Sequence, residues 1–274
     1  MRILIANVLL VGRPGAPSGE WVLVDTGTTR NGAQIRRAAA RRFDKGSRPA
    51  AIILTHGHFD HVGAVAELSK GWDVPVYAHK QEIPYLTGQA DYLPPDPGVG
   101  GGLMSLLSPL YPRRAIDLGD RVQPLPENGE VPGLAGWRWL HTPGHTPGHI
   151  SLFRESDRVL IAGDAFTTVQ QESFLAVMTQ RQELHGPPRY FTPDWQGARA
   201  SVQALAALRP AVAATGHGVP MRGERLAREL ETLAREFDRL AVPPRGRYVK
   251  RPVREAYDWH EPAEEPAEER IRPR

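Results

Sequence analysis

The sequence contains no cysteine among its 274 residues. Disulfides, thiolate metal sites and cysteine nucleophiles are thereby excluded, and any metal must be held by His, Asp or Glu. No apolar run approaches the roughly 20 residues that a membrane-spanning helix requires. The stretch from Ile3 to Val11 is apolar, but Asn7 interrupts it and only Arg2 precedes it with a charge. It reads as a first strand in preference to a secretory signal, and a cytoplasmic location is the expectation. Charge of one sign is scarce as well. The net charge is only +3, so no general nucleic-acid surface is indicated, and nucleic acid is not an expected partner. Expected instead are a small-molecule substrate and, at most, a second copy of the chain.

What is present is an ordinary globular balance, 41% hydrophobic and 24% charged, in a chain long enough to bury a substantial core. In the first half, strand-like runs alternate with helical stretches. Arg2–Val11 and Trp21–Val24 read as neighbouring strands joined by a Gly/Pro-rich turn, Ala33–Phe43 as a helix, and Ala51–Leu54 as a buried strand ending at Thr55-His56. Val62–Ser69 reads as a helix and Val74–Ala78 as a strand. The segment 83–114, with Pro94-Pro95-Asp96-Pro97 and Gly100-Gly101-Gly102, opposes regular structure, while its apolar members favour a packed loop over a disordered one.

The second half repeats the strand logic at Trp137–His141, Ile150–Phe153, Arg158–Ala162 and Ala211–Thr215. Thr192-Pro193-Asp194 resembles a helix start, with Thr192 as the capping hydroxyl and Pro193 at the first helical position. A last amphipathic helix carries Leu226, Leu230, Leu233, Phe237 and Leu240 inward and pairs Glu224/Arg228 and Glu231/Arg235 outward. The expected organisation is one domain over 1–240, followed by a charged, Pro-rich tail over 241–274 that Tyr248, Val249, Tyr257 and Trp259 could anchor.

Several buried-strand patterns end in a potential metal ligand. Ile52-Ile53-Leu54 leads to His56, Leu160-Ile161-Ala162 to Asp164, and Val212-Ala213-Ala214 to His217; between them lies His141-Thr-Pro-Gly-His145-Thr-Pro-Gly-His149. Ligands in open α/β sheets gather beyond the carboxyl ends of strands. The densest element is His56-Gly57-His58-Phe59-Asp60-His61. His56 and His58 can point the same way and bind one cation, with Asp60 and His61 turned toward a second. His145 would complete the first set and His217 the second, with Asp164 bridging. Imidazole nitrogen and carboxylate oxygen suit zinc, and they also accommodate iron, manganese or cobalt. Two cations held close together repel, which is why a bridging carboxylate is needed between them.

The sequence resembles the metallo-β-lactamase superfamily, in particular its glyoxalase II-like and lactonase-like hydrolases. The H-x-H-x-D-H motif stands intact at His56, His58, Asp60 and His61, followed in order by His145 in HTPGHTPGH, Asp164 in AGD and His217 in GHG. Asp25, after an early strand, matches the aspartate that buttresses the metal loop in that family. The resemblance implies a four-layer αββα sandwich and a two-metal site, most simply dizinc. The implied reaction is hydrolysis of a lactone, thioester or related ester, with Asp60 as both ligand and orienting group for the nucleophile. An aspartate at 164 departs from the β-lactamases, which usually place cysteine or serine there, and His58 departs from the flavodiiron branch. Phosphodiester or β-lactam hydrolysis by the same site is the nearest alternative; a metal-binding sensor that does not turn over is the alternative from another class.

Other histidines are weighed more plainly. His79, His141 and His149 suit outer positions that orient ligands or simply pack, His185 lies in the variable segment 165–191, and His260 is in the tail. The repeated Thr-Pro-Gly reads as a turn whose glycines allow close backbone approach to the metals. Phe166, Phe174, Met178, Tyr190 and Phe191 could wall a pocket, although apolar clusters are more often core.

Overall fold

The computed structural model describes residues 1–250. Two five-stranded sheets carry the fold. The first runs β3 (Leu9–Val11), β4 (Val22–Val24), β5 (Ala51–Ile53), β6 (Val76–Ala78) and β7 (Val122–Pro124), in chain order. Its members β4 to β7 are parallel, and β3 is antiparallel to β4. The second runs β8 (Trp137–His141), β9 (Ile150–Arg154), β10 (Val159–Gly163), β11 (Val212–Thr215) and β12 (Met221–Arg222), with β10 and β11 parallel. A short hairpin, β1 (Arg2–Ile3) with β2 (Ala6–Asn7), precedes them.

The helices are α1 (Gly32–Arg42), α2 (Phe59–Val62), α3 (Val65–Trp72), α4 (Ile83–Leu86), α5 (Leu103–Leu107), α6 (Phe174–Thr179), α7 (Trp195–Ala207), α8 (Gly223–Arg235), α9 (Phe237–Leu240) and α10 (Arg247–Lys250).

The period-2 alternation of side chains in these strands builds the layers. Leu23 and Ile52 face outward onto Ile35, Ala39, Val65 and Leu68 of α1 and α3. Their neighbours Val22, Val24, Ala51 and Ile53 face inward, onto Ile150, Leu152 and Ile161 of the second sheet. On the far side, Phe153, Leu160 and Ala213 pack against Val202 and Leu205 of α7 and Leu226 and Leu230 of α8. Three apolar interfaces separate four layers, giving the αββα sandwich. Each fully buried Leu, Ile or Val contributes about 1.5–3 kcal/mol, so strands apolar on both faces have a strong reason to lie inside.

Several expectations are corrected. Arg2–Val11 is not one strand: Leu4 takes a positive φ of 54°, and the chain folds back into the β1–β2 hairpin before β3. Asn7, the polar break in that run, is the reason; its side chain donates to the carbonyls of Thr215 at 2.9 Å and Gly218 at 2.6 Å, docking the hairpin on the loop after β11. Thr192 does not cap α7. Asp194 does, accepting from the amides of Gln196 and Gly197, because α7 opens at Trp195 and the residue directly before it is the one whose carboxylate reaches them. Arg228 pairs with Glu224 as expected, whereas Arg235 reaches Glu236, not Glu231. Segment 83–114 is more regular than its composition suggests, holding α4 and α5 with Tyr85, Leu86, Tyr92 and Met104 buried. From the tail, Tyr248 donates to the Pro94 carbonyl of this segment at 2.5 Å and Val249 packs on the α7–α8 core. Tyr257, Trp259 and His260 lie outside the described residues.

Candidate metal centre

Asp25, His56, Asp164 and His217 follow the carboxyl ends of β4, β5, β10 and β11, and His145 sits in the β8–β9 connection. His58 has extended backbone, with a ψ of 151°, and His56 and His58, two residues apart, bring ligand nitrogens close together. His58 then starts the single turn α2, receiving the amides of His61 at 2.9 Å and Val62 at 3.1 Å. That change to helical backbone brings Asp60 and His61 round to the His217 side, while the His61 ring stays 4.1 Å from that of His56. Gly163, at a φ of 53° beside a register shift in β10, aims Asp164 inward. Gly216 has no room for a side chain, since a Cβ there would lie 2.0 Å from Asp164 Oδ1.

Outer hydrogen bonds assign the imidazole tautomers. Thr55 Oγ1 donates to Asp25 Oδ2 at 2.8 Å, so toward His56 Nδ1, at 3.1 Å, it can only accept. His61 Nδ1 donates to Asp25 Oδ2 at 2.8 Å, and His217 Nδ1 to the Ile5 carbonyl at 2.7 Å. Thr192 Oγ1 donates to the Pro188 carbonyl at 2.7 Å and so accepts from His145 Nδ1 at 3.3 Å. In each case Nδ1 holds its proton outward and Nε2 faces the cluster, where it offers a lone pair once any proton on it is displaced, as metal-binding histidines require. His58 instead turns Nδ1 inward, 3.0 Å from His145 Nε2.

The donors fall into triads whose ligand atoms lie within 4.8 Å of one another: His56, His58 and His145; His56, His61 and Asp164; Asp60, His61 and His217. Asp164 Oδ2 touches nitrogens of both sides, 3.5 Å from His145 Nε2, 3.7 Å from His61 Nε2 and 3.0 Å from His217 Nε2. Asp60 lies 3.6 Å from His217 Nε2 through Oδ2 and 4.0 Å from His61 Nε2 through Oδ1.

Electrostatics divides the cluster. Burial, reinforced by neighbouring imidazoles, holds His56 and His145 well below the usual histidine range and brings His58 to about 3. Burial also opposes charge on His61, but the carboxylates of Asp164, Asp25 and Asp60 outweigh it and raise His61 to about 10. His217 is raised against its own burial by Asp164 and Asp60. Burial pushes Asp164 up, yet His217 and His61 more than reverse it and keep the carboxylate ionised.

A direct test of fit is which buried atoms lack partners. Among the described residues, His56 Nε2, His61 Nε2 and Asp164 Oδ1 are buried without a hydrogen bond. Leaving one such group unpaired costs about 1–3 kcal/mol, so three at one centre call for a shared partner. Their chemistry, two imidazole lone pairs and a carboxylate oxygen, fits a divalent cation.

All seven sequence-predicted ligands are therefore brought together: His56, His58, Asp60, His61, His145, Asp164 and His217. Asp25 lies behind them and holds His61 together with the amide of Thr55 at 2.8 Å. His149 accepts from the amide of Asp164 at 2.8 Å, so it orients a ligand as expected. His79 and His141 stack on each other, 4.1 Å apart, the packing role among those expected, and neither joins a triad. His185 lies in a groove with Arg225, Arg228 and Glu229 of α8. Of the aromatic candidates, Phe191 stacks on His58 at 4.5 Å, with Tyr190 packed beside it. Phe166 is core, while Phe174 and Met178 are exposed. The close approach allowed by the Thr-Pro-Gly glycines is not to the cluster: a Cβ on Gly144 would strike Ala198 of α7, and one on Gly148 would strike Glu82. Sequence reading overlooked Thr55, Thr192 and Glu82, none of which belongs to a spaced motif.

Comparison with known proteins agrees with this geometry. The family model described as the metallo-β-lactamase superfamily matches residues 1–217. The chain is similar to the probable metallo-hydrolase YflN of Bacillus subtilis (strain 168), 51% identical over 230 residues that cover 84% of this chain and 87% of the relative. It is 28% identical over 135 residues to the hydroxyacylglutathione hydrolase GloC of Haemophilus influenzae, covering 48% of this chain and 57% of that one. The solved structure of TTHA1623 in a di-iron-bound form superposes with a TM-score of 0.55 at 27% identity, covering 84% of this chain and 96% of that one. The chain belongs to the metallo-β-lactamase superfamily and is a metal-dependent hydrolase.

Proposed function

We propose that the chain hydrolyses an ester-like acyl bond, in a lactone, thioester or related ester, using two divalent cations, most simply zinc. His56, His58 and His145 would hold one cation, Asp60, His61 and His217 the other, and Asp164 both. The observation that carries this reading is Asp164 Oδ2, which lies between His145 Nε2 at 3.5 Å and His217 Nε2 at 3.0 Å. The di-iron-bound form of TTHA1623 supports two ions, and the acyl-sulfur substrate in the name of GloC supports the bond class. Iron and manganese suit the same all-N/O donor set.

Bound divalent cations supply Lewis acidity, polarising a carbonyl and lowering the pKa of water toward about 7. Asp60 would orient the attacking water and take up its proton. The acyl carbon gains hydroxyl, its bond to the leaving oxygen or sulfur breaks, and the leaving group departs with the proton. Phe191 and Tyr190 wall the His58 side and exclude solvent there. Asp25, Thr55, Thr192 and His149 hold the ligands without touching the reacting atoms.

A substrate panel tests the proposal: a lactone followed with a pH indicator, S-lactoylglutathione, an aryl ester, a bis-aryl phosphate and a chromogenic cephalosporin. Turnover of an acyl substrate that disappears on exhaustive chelation and returns with added metal is expected. Full activity after chelation sinks the reading. Turnover of the phosphate or cephalosporin alone reassigns the bond.

A further inference from the structure

One buried carboxylate has no part in the chemistry above. Glu82, at the start of α4, is fully enclosed, with 0% of its surface exposed. Its Oε2 accepts from the amide of Gly57 at 2.9 Å and from the hydroxyl of Tyr92. Its Oε1 accepts from Thr146 Oγ1 at 2.7 Å and from the amide of Gly148 at 2.9 Å. Gly57 lies between His56 and His58; Thr146 adjoins His145. Each oxygen thus grips one of two loops that are far apart in the chain, and each loop supplies ligands to the same triad.

Sterics favour this arrangement as much as polarity does. A Cβ on Gly57 would lie 2.6 Å from the Tyr92 hydroxyl, and a Cβ on Gly148 would lie 2.7 Å from the amide nitrogen of Glu82. Both loops therefore keep glycine where they meet Glu82 and Tyr92. Tyr92 closes the arrangement. Its hydroxyl lies 2.9 Å from the Gly57 nitrogen, and its ring packs 4.5 Å from the His58 ring. All four hydrogen bonds to Glu82 come from neutral donors, and its enclosure leaves it no route to substrate.

Asp25 performs the matching task elsewhere, gripping Thr55 and His61. In the first triad, His58 and His145 face each other at 3.0 Å, and the side-chain hydrogen bonds of Asp25 go to Thr55 and His61 and not to either of them. We infer that Glu82, closed by Tyr92, is a positioning residue that locks the two loops carrying His58 and His145 into one ligand set. The inference rests on the two-cation reading of the site.

The full chain is stripped of metal, and zinc uptake is followed by competition with a chromophoric chelator. Cobalt(II) spectra report the ligand field of each ion, while His58→Ala and His217→Ala identify which binding step belongs to which triad. In Glu82→Gln the shape is kept, but the amide nitrogen cannot accept from the donors it faces. The step lost in His58→Ala should weaken by roughly 10–100-fold, the effect usual for an outer partner of a metal ligand. The step lost in His217→Ala should change by less than about threefold by the same measure. Tyr92→Phe, which leaves the carboxylate in place, should weaken the same step by a smaller factor. It also keeps the test usable if Glu82→Gln fails to fold. Equal weakening of both steps, in proportion to a fall in the melting temperature of the stripped protein, would show a merely structural role and overturn the inference. Unchanged binding in Glu82→Gln and Tyr92→Phe overturns it too, with the two-cation reading intact. Wild-type protein that takes up no second ion overturns both.

Discussion

His56, His58 and His145 present three imidazole nitrogens with their protonation suppressed by burial and by neighbouring imidazoles. Asp60, His61 and His217, a few ångströms away, gather where Asp164 and Asp60 favour positive charge and raise both histidines, with Asp25 adding to His61. The same H-x-H-x-D-H run feeds both halves, yet they are held differently. The first depends on placement: Thr192 behind His145, Thr55 behind His56, Phe191 and Tyr92 against His58. The second depends on charge. Neutral ligands must be aimed, whereas a cluster of carboxylates attracts a cation even when imperfectly arranged.

The comparison can be broken most severely at the residue the halves share. Asp164→Ala is expected to lower kcat/KM by about three orders of magnitude, some 4 kcal/mol in the barrier, because both sets lose a ligand. Steady-state kinetics paired with metal analysis checks it; a variant that retains two ions and near-normal turnover refutes the bridging role. Next in size, on the two-cation proposal, His58→Ala should bind one ion fewer than the wild type, and His217→Ala should do the same at the other half. Metal analysis after dialysis decides it, and a single substitution that emptied both halves would show they are not separable.

The pH dependence of loading sharpens the contrast further. After chelation, His61, raised to about 10, carries a proton at neutral pH that an incoming ion must displace. Affinity at that half should therefore climb as pH rises from 7 toward about 10. At the other half, with His58 at about 3, affinity should be flat over that range and fall only in acid. Calorimetric titration in buffers of different ionisation enthalpy reads the released protons directly; proton release from neither half contradicts the division. The smallest expected effect is Thr192→Val, which removes the acceptor behind His145. It should weaken ion binding at the placement-dependent half by roughly tenfold and cost about 1 kcal/mol of stability or less. Chelator competition and urea unfolding measure the two separately.

Much of the site was legible because its motif is local. Four ligands within residues 56–61 announce a metal loop, and an imidazole or carboxylate after an apolar β-run marks a strand end wherever it occurs. The layers were legible for a similar reason: strands such as Ala51–Ile53, apolar on both faces, have to lie between two packed surfaces. The hairpin at Leu4 was not, because Asn7 reads as a mere interruption until the Thr215 and Gly218 carbonyls it serves are seen beside it.

Those outcomes divide what the amino-acid order determined from what folding decided. Ligand identity, the order of the motifs and the alternation that builds four layers all rest on residues close together in the chain. The tautomer of each histidine, the split into a neutral and a carboxylate-rich half, and the part played by Glu82 do not. They arise from hydrogen bonds spanning 47 residues between His145 and Thr192, and 64 between Glu82 and Thr146. A contact of that span leaves no period or spacing in the sequence. Only the tertiary packing brings these partners to 3.3 Å and 2.7 Å.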